Sequence, residues 1–219
     1  MASYLEREIE AKKERMVSEH LVARGIRDAA VLRAMREVPR EAFLPPEMER
    51  FAYEDGPLPI EEGQTISQPY IVAYMIEALE LRGEERVLEI GTGSGYAAAV
   101  LSRCAAEVFT VERIAPLAQS ARQRLETLGY RNVQLLLGDG TMGWKEHAPY
   151  HAIVVTAGAP DVPAELQEQL APGGRLVIPV GSTPHLQNLV RVRRLPQGEF
   201  RREELCAVRF VPLIGEQGW

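Results

Sequence analysis

Cysteine is scarce in this 219-residue chain, with Cys104 and Cys206 its only two. They lie far apart and match no metal-ligand spacing, so the chain is neither a disulfide scaffold nor a zinc module, and a reducing compartment is the simplest setting. The four histidines, His20, His147, His151 and His185, are scattered, and none pairs with a second ligand at metal spacing; no metal site is expected. Positive charge is also in deficit. Twenty-five Lys and Arg against 31 Asp and Glu give a net charge of −6 and a pI near 5.4, which argues against a nucleic-acid binder. No run reaches the roughly 20 apolar residues needed to cross a membrane. The opening "MASYLEREIEAKKERM" is charged throughout and lacks the apolar stretch of a signal peptide, so a cytoplasmic protein without membrane partners is expected.

What the chain does contain is an ordinary globular composition, 46% hydrophobic and 26% charged, and enough length for one full-sized α/β domain. Residues 4 to about 23 read as a helix with Leu5, Ile9, Met16, Val17 and Leu21 on one side, and Asp28 to Val38 as a second helix stopped by Pro39. Six of the fifteen prolines then fall between 39 and 69, too many fixed φ angles for regular structure, so an ordered but irregular segment is expected. A helix over about Pro69–Leu81 follows.

From Arg86 the rhythm changes. Short apolar runs at "RVLEI", "EVFTV", "VQLLL", "HAIVVT" and "GRLVIPV" alternate at first with helical stretches over Tyr96–Cys104, Ile114–Leu128 and Val162–Leu170. That alternation predicts a doubly wound, mostly parallel sheet. The last runs, "NLVRVRRL" and "ELCAVRFVPLIG" around "PQGEF", predict a C-terminal antiparallel hairpin closing the sheet edge. Arg191, Arg193 and Arg194 read either as a surface for an acidic partner or, more commonly for such a cluster, as edge-strand charge that discourages aggregation. The expected organisation is a helical and Pro-rich extension over 1–82 and a cofactor-binding domain over 83–219.

The chemistry concentrates in "VLEIGTGSGY". A buried strand turns through Gly91, Thr92, Gly93, Ser94 and Gly95 into a helix beginning at Tyr96, letting backbone approach a ligand at a helix N-terminus. A dinucleotide fingerprint would need its third glycine where Tyr96 stands. Three acids follow at successive strand ends. Glu89 sits near the end of the first strand and would oppose a pyrophosphate but favour a cation. Glu112, 21 residues after Gly91, suits both ribose hydroxyls, and Asp139–Gly140 suits an adenine amino group. Such acids fit S-adenosylmethionine, which carries a sulfonium and an ammonium but no phosphate.

With "VLEIGTGSGY", "VFTVER", "LLLGDGTMGW", "APYHAIVVTAGAP", "LAPGGRLVIPVG" and the N-terminal "GQTISQP", the chain resembles the protein-L-isoaspartate O-methyltransferase family over nearly its whole length. The glycine motif is common to Rossmann-like methyltransferases; the Gln-Thr-Ile-Ser-x-Pro segment and the terminal "VRFVPLIG" are the specific marks. The resemblance implies a Rossmann-like fold, S-adenosylmethionine as methyl donor with S-adenosylhomocysteine as product, and isoaspartyl residues of damaged proteins as acceptors. It implies that Ser67 is the active-site serine and that Thr65 and Ile66 wall cofactor from substrate. It further implies that Val180, Gly181, Val211, Pro212 and Leu213 border a peptide groove. Taken without the resemblance, Ser67 reads as the N-cap of the helix beginning at Pro69 or Tyr70. Tyr70 departs from the histidine that some family members carry there.

Two other classes stay open on the residues alone. A methyltransferase of RNA or small molecules is disfavoured by the acidic pI and by "TAGAP" where a base methylase would carry an Asn-Pro-Pro-aromatic motif. A non-catalytic cofactor-binding module would bind the cofactor without transferring its methyl.

Overall fold

A computed structural model describes residues 4–183 and 186–219, with side chains described from residue 7 onward. Leu5, as a core position, and His185 fall outside the described side chains. Seven strands form one sheet: β3 (Arg86–Ile90), β4 (Glu107–Glu112), β5 (Val133–Leu137), β6 (Tyr150–Val155), β7 (Leu170–Thr183), β8 (Leu186–Arg194) and β9 (Phe200–Val208). Two further strands, β1 (Leu58–Pro59) and β2 (Thr65–Ile66), pair as a small antiparallel hairpin in the Pro-rich segment. The sheet order is β5-β4-β3-β6-β7-β8-β9, parallel from β5 to β7 and antiparallel over the last two strands. Strand order reverses direction at β3, which has β4 on one side and β6 on the other, so a ligand crevice belongs at the carboxyl ends there.

The central strands β3, β4 and β6 and much of β7 are buried on both faces, and their period of two sorts residues cleanly. Val87, Val108, Val154 and Val177 join one core cluster, while Leu88, Phe109, Ile153 and Leu176 join the other. Glu89, Thr110 and Glu112 therefore lie on the face of the first cluster, and Glu89 is paired in register with Thr110. That cluster also takes in Met16, Val31, Phe43, Ile66 and Ile76, so the N-terminal extension packs directly on the sheet. Arg40 ties the two together: fully buried, it donates Nε to the Ala52 carbonyl at 2.8 Å and lays its guanidinium 4.8 Å from the Tyr96 ring centre.

Several boundaries differ from the sequence expectation. The first helix is α1 (Tyr4–Arg15), continued by a π-turn over Met16–Leu21 and a short 3₁₀ turn ending at Gly25. Helix α2 (Ala29–Glu37) starts at Asp28, whose carboxylate accepts from the Ala30 and Val31 amides. Helix α3 (Pro69–Ala78) stops three residues early because Glu80 adopts a left-handed φ of 52°. Arg175, Arg191 and Arg193 all contact the Glu80 carboxylate, holding it down with the sheet. Helix α4 (Tyr96–Ser102) and α5 (Ala115–Thr127) cover the first-cluster face, and the helix expected after β6 is the five-residue α6 (Ala164–Glu168). "ELCAVRFVPLIG" is not one strand. Pairing ends at Val208, and residues 210–213 cross the carboxyl ends of the sheet instead.

Candidate active site

The glycine loop leaves β3 at Gly91, whose φ of 94° and position require glycine: a Cβ there would sit 2.5 Å from Thr156 Oγ1. Thr156 follows β6 directly. Its hydroxyl donates to the carbonyls of Ile90, at 3.0 Å, and Gly91, at 2.7 Å, stitching the two strand ends together. Gly95 caps α4, and Arg124 of α5 reaches the Ser94 carbonyl at 2.7 Å while lying 3.8 Å from Glu61 of the extension. Thr92 is buried, its hydroxyl 2.6 Å from that of Thr110.

Glu112 ends β4 with one oxygen accepting the Gly93 amide and the other the Ile114 amide, both at 2.9 Å. Each oxygen retains a lone pair for a ligand, and Glu112 lines a cavity of about 310 Å³. Gly91, Gly93, Gly140, Thr65, Thr156 and Leu213 line the same cavity. Gly140 is glycine for space: a Cβ would stand 2.3 Å from Ile90 Cγ2. The volume is at the small end of the range for drug-sized ligands, roughly 300–1,000 Å³. A second, larger groove of about 930 Å³ adjoins it, bordered by Ser67, Gln68 and Tyr70 on one side and residues 206–212 on the other. Thr65, Thr156, Val211 and Pro212 line both spaces and form the partition.

The other two acids sit differently from the expectation of three carboxylates at the mouth. Glu89 is fully buried beneath the loop and lines neither space; Oε2 accepts from Thr110 at 2.6 Å and Oε1 has no hydrogen-bond partner. Burial pushes its pKa up to about 8, with the Thr110 hydrogen bond opposing and the neighbouring Glu112 charge adding to the rise. Asp139 faces the C-terminal tail. Oδ1 accepts from the Thr141 amide and hydroxyl, and Oδ2 from the Glu216 amide, all at 2.8 Å. Partial burial works to raise its pKa, but the Glu216 and Thr141 hydrogen bonds outweigh it and hold the carboxyl below the ordinary value. The neighbouring Gly140 lines the cavity.

Ser67 is not the cap of α3. That position is Gln68, which makes no side-chain cap bond, and the Ser67 hydroxyl has no hydrogen-bond partner among the described residues. Ile66 is buried against the loop in a small void shared with Ser67, Thr92 and Ser94. Val180 and Gly181 lie near the end of β7, next to Ala159. Val180 pairs with Asn188 of β8, and Gly181 sits in the irregularity beyond it, close to the Leu186 carbonyl where a Cβ would lie at 2.0 Å; they line neither space. The sheet places residues 211–213 instead: the Gly158 amide donates to Val211 O and the Leu213 amide to Gly158 O, both at 2.8 Å. Buried Gln187 clamps Phe210 by accepting from its amide at 2.8 Å. Sequence reading passed over Thr156, Arg124 and Gln187, and Thr156 alone carried a signal, as the polar residue ending an otherwise apolar strand.

A seven-stranded sheet of this order, with a glycine loop, a ribose-height acid and an adjoining groove at its switch point, defines a Rossmann-like methyltransferase. Comparison with known proteins narrows the class. The family model for protein-L-isoaspartate(D-aspartate) O-methyltransferase matches residues 11–218, and the chain belongs to that family. Protein-L-isoaspartate O-methyltransferase 1 of Geotalea uraniireducens is 69% identical over 208 residues, 95% of each chain. Its counterpart 2 from Pelobacter propionicus is 67% identical over 210 residues, 96% of this chain and 93% of that one. A solved protein-L-isoaspartate O-methyltransferase matches with a TM-score of 0.84 at 32% identity, over 94% of this chain and 67% of that chain. The protein is thus an S-adenosylmethionine-dependent enzyme that methylates the α-carboxyl group of isoaspartyl residues and so initiates their repair through a succinimide.

Proposed function

We propose that the 310 Å³ cavity holds the cofactor, that the 930 Å³ groove holds the damaged peptide, and that Ser67 orients the peptide's carboxylate at the joint between them. The observation that carries this reading is the shared partition: Thr65 and Thr156 line both spaces, and Ser67 lines the groove with an uncommitted hydroxyl. S-adenosylmethionine, when bound, supplies an electrophilic methyl group on a sulfonium.

The cavity suits that group in two respects. Glu112 offers spare lone pairs to ribose hydroxyls while its bonds to Gly93 and Ile114 keep it fixed. Buried Oε1 of Glu89, lacking a partner, adds negative potential behind the loop once the carboxyl ionises. Asp139 acts through the tail it holds, and the backbone of Gly140 is the part of that pair presented to the ligand.

An isoaspartyl carboxylate is ionised at neutral pH and needs no base to become a nucleophile. What it needs is orientation, with one oxygen in line and the other held by a donor. The Ser67 hydroxyl is such a donor, and Ser67 is not itself a nucleophile. Segment 1–82 supplies Ser67, Gln68 and Tyr70 to the groove and 83–219 most of the cofactor cavity, while residues 206–212 also border the groove and Thr65 the cavity. The test is methyl transfer to paired peptides differing in aspartyl or isoaspartyl linkage, with wild type and Ser67→Ala side by side. Label on the isoaspartyl peptide alone, released as methanol at mildly alkaline pH, with turnover lost and cofactor affinity kept in the variant, is the expected result. Undiminished turnover in Ser67→Ala refutes the role.

A further inference from the structure

The peptide groove has a charge character opposite to that of the protein. The chain carries a net −6, yet the charged residues lining the groove are Arg24 and Arg209; no Asp, Glu or Lys lines it among the described residues. The two arginines are held differently. Arg24 lies flat on Tyr70, its guanidinium 3.6 Å from the ring centre, and pairs with Asp55 at 2.7 Å. Stacking fixes its plane, and Asp55 cancels much of its charge. Arg209 is exposed and has no ion pair or side-chain hydrogen bond among the described residues. Its backbone neighbours are nonetheless fixed, because Gln187 clamps Phe210 and Gly158 anchors Val211.

We propose that this enzyme selects isoaspartyl sites flanked by acidic residues, with Arg209 as the principal specificity-determining residue and Arg24 as a weaker second. The inference rests on the assignment of the groove to the peptide. Val211 belongs to the partition where methyl transfer takes place, and Arg209 stands two residues away along extended chain, roughly 7 Å. A peptide lying in the groove with its isoaspartyl carboxylate at Ser67 therefore brings a residue one or two positions away to Arg209. A carboxylate there meets an uncompensated cation, whereas a lysine meets a like charge with no acid lining the groove to offset it. Because the contact is solvent-exposed, the gain is modest and salt-sensitive. It appears in peptide KM rather than in kcat, since the flank does not touch the reacting atoms.

The experiment uses isoaspartyl peptides identical except for Glu, Gln or Lys at the two positions on either side. They are assayed with wild type, Arg209→Gln and Arg209→Glu at low and at physiological ionic strength. At low salt the wild type is expected to show a KM about three- to five-fold lower for the best-placed Glu peptide than for its Gln counterpart, and a higher one for Lys. The preference shrinks with salt, falls in Arg209→Gln to the small remainder that Arg24 supplies, and reverses in Arg209→Glu. Equal KM values for Glu, Gln and Lys peptides in wild type, or a preference that survives Arg209→Glu, overturn the proposal while leaving the groove assignment intact. Failure to methylate even the Gln-flanked isoaspartyl peptide instead overturns the groove assignment, and this inference with it.

Discussion

The two spaces at the carboxyl ends of the sheet are built on different plans. The cofactor cavity is framed chiefly by turns that directly follow parallel strands, and its polar groups are tied to one another: Glu112 to Gly93 and Ile114, Thr156 to Ile90 and Gly91, Arg124 to Ser94. The groove joins segments far apart in sequence, residues 24–71 and 206–212, and offers a serine and an arginine whose side chains have no partner among the described residues. The first is braced because many of its backbone amides and carbonyls already have partners before any ligand arrives. The second keeps polar groups in reserve, as the proposed peptide site would need for substrates whose sequence varies. Lesions on the cofactor side should therefore cost stability as well as affinity, and lesions on the groove side should cost turnover or peptide affinity with the fold untouched.

Ser67→Ala is the largest test of that contrast. Turnover on an isoaspartyl peptide should fall by about 10²–10³, the usual worth of one well-placed donor. Thermal stability and calorimetric affinity for S-adenosylhomocysteine should stay at wild-type values. Glu112→Gln attacks the other side. Replacing a carboxylate that accepts two backbone amides, and on the proposed reading the ribose hydroxyls, should raise cofactor KM by about 10- to 100-fold, at about 1.5–3 kcal/mol for a charged hydrogen bond, and lower Tm as well. If Tm is unchanged, the cavity is less internally braced than its hydrogen bonds imply.

Gly140→Ala sharpens the comparison without removing a polar group. The new Cβ would sit 2.3 Å from Ile90 Cγ2, and such overpacking costs about 1–3 kcal/mol. A lower melting temperature and weaker cofactor binding, with peptide KM unaffected, are expected. A further test is a pH dependence. Glu89 binds its proton more tightly in the folded protein, with a pKa of about 8 against an ordinary 4.5. The stability this contributes is fully present below about 4.5 and is lost as pH rises toward 8. Glu89→Gln should remove that slope, so the Tm difference between variant and wild type should grow in the variant's favour from pH 5 to pH 8.5. A difference independent of pH would show that Glu89 is ionised throughout.

Much of this enzyme was legible in the chain. The alternation from Arg86 onward fixed a doubly wound sheet because buried parallel strands must be apolar runs separated by crossover helices. The glycine loop was legible because a left-handed φ beside a close contact, as at Gly91, tolerates no other residue. Glu112 was legible because a strand end sets its height at the crevice. Tertiary structure decided what spacing cannot express. Glu89 and Asp139 have the same strand-end signature as Glu112, but register set Glu89 against Thr110 inside the core, and the returning C-terminus claimed the Asp139 carboxylate. Val180–Gly181 and Val211–Leu213 are similar apolar strings; Val180 was taken into the ladder with β8, while the bridge to Gly158 laid the second string across the carboxyl ends of the sheet. The groove itself exists only once residues 24–71 and 206–212 meet over Thr156. Local sequence encodes which backbone conformations a segment tolerates and which face it buries. Which distant segment covers that face, and which polar group is left without a partner, is settled by the packing of the whole chain.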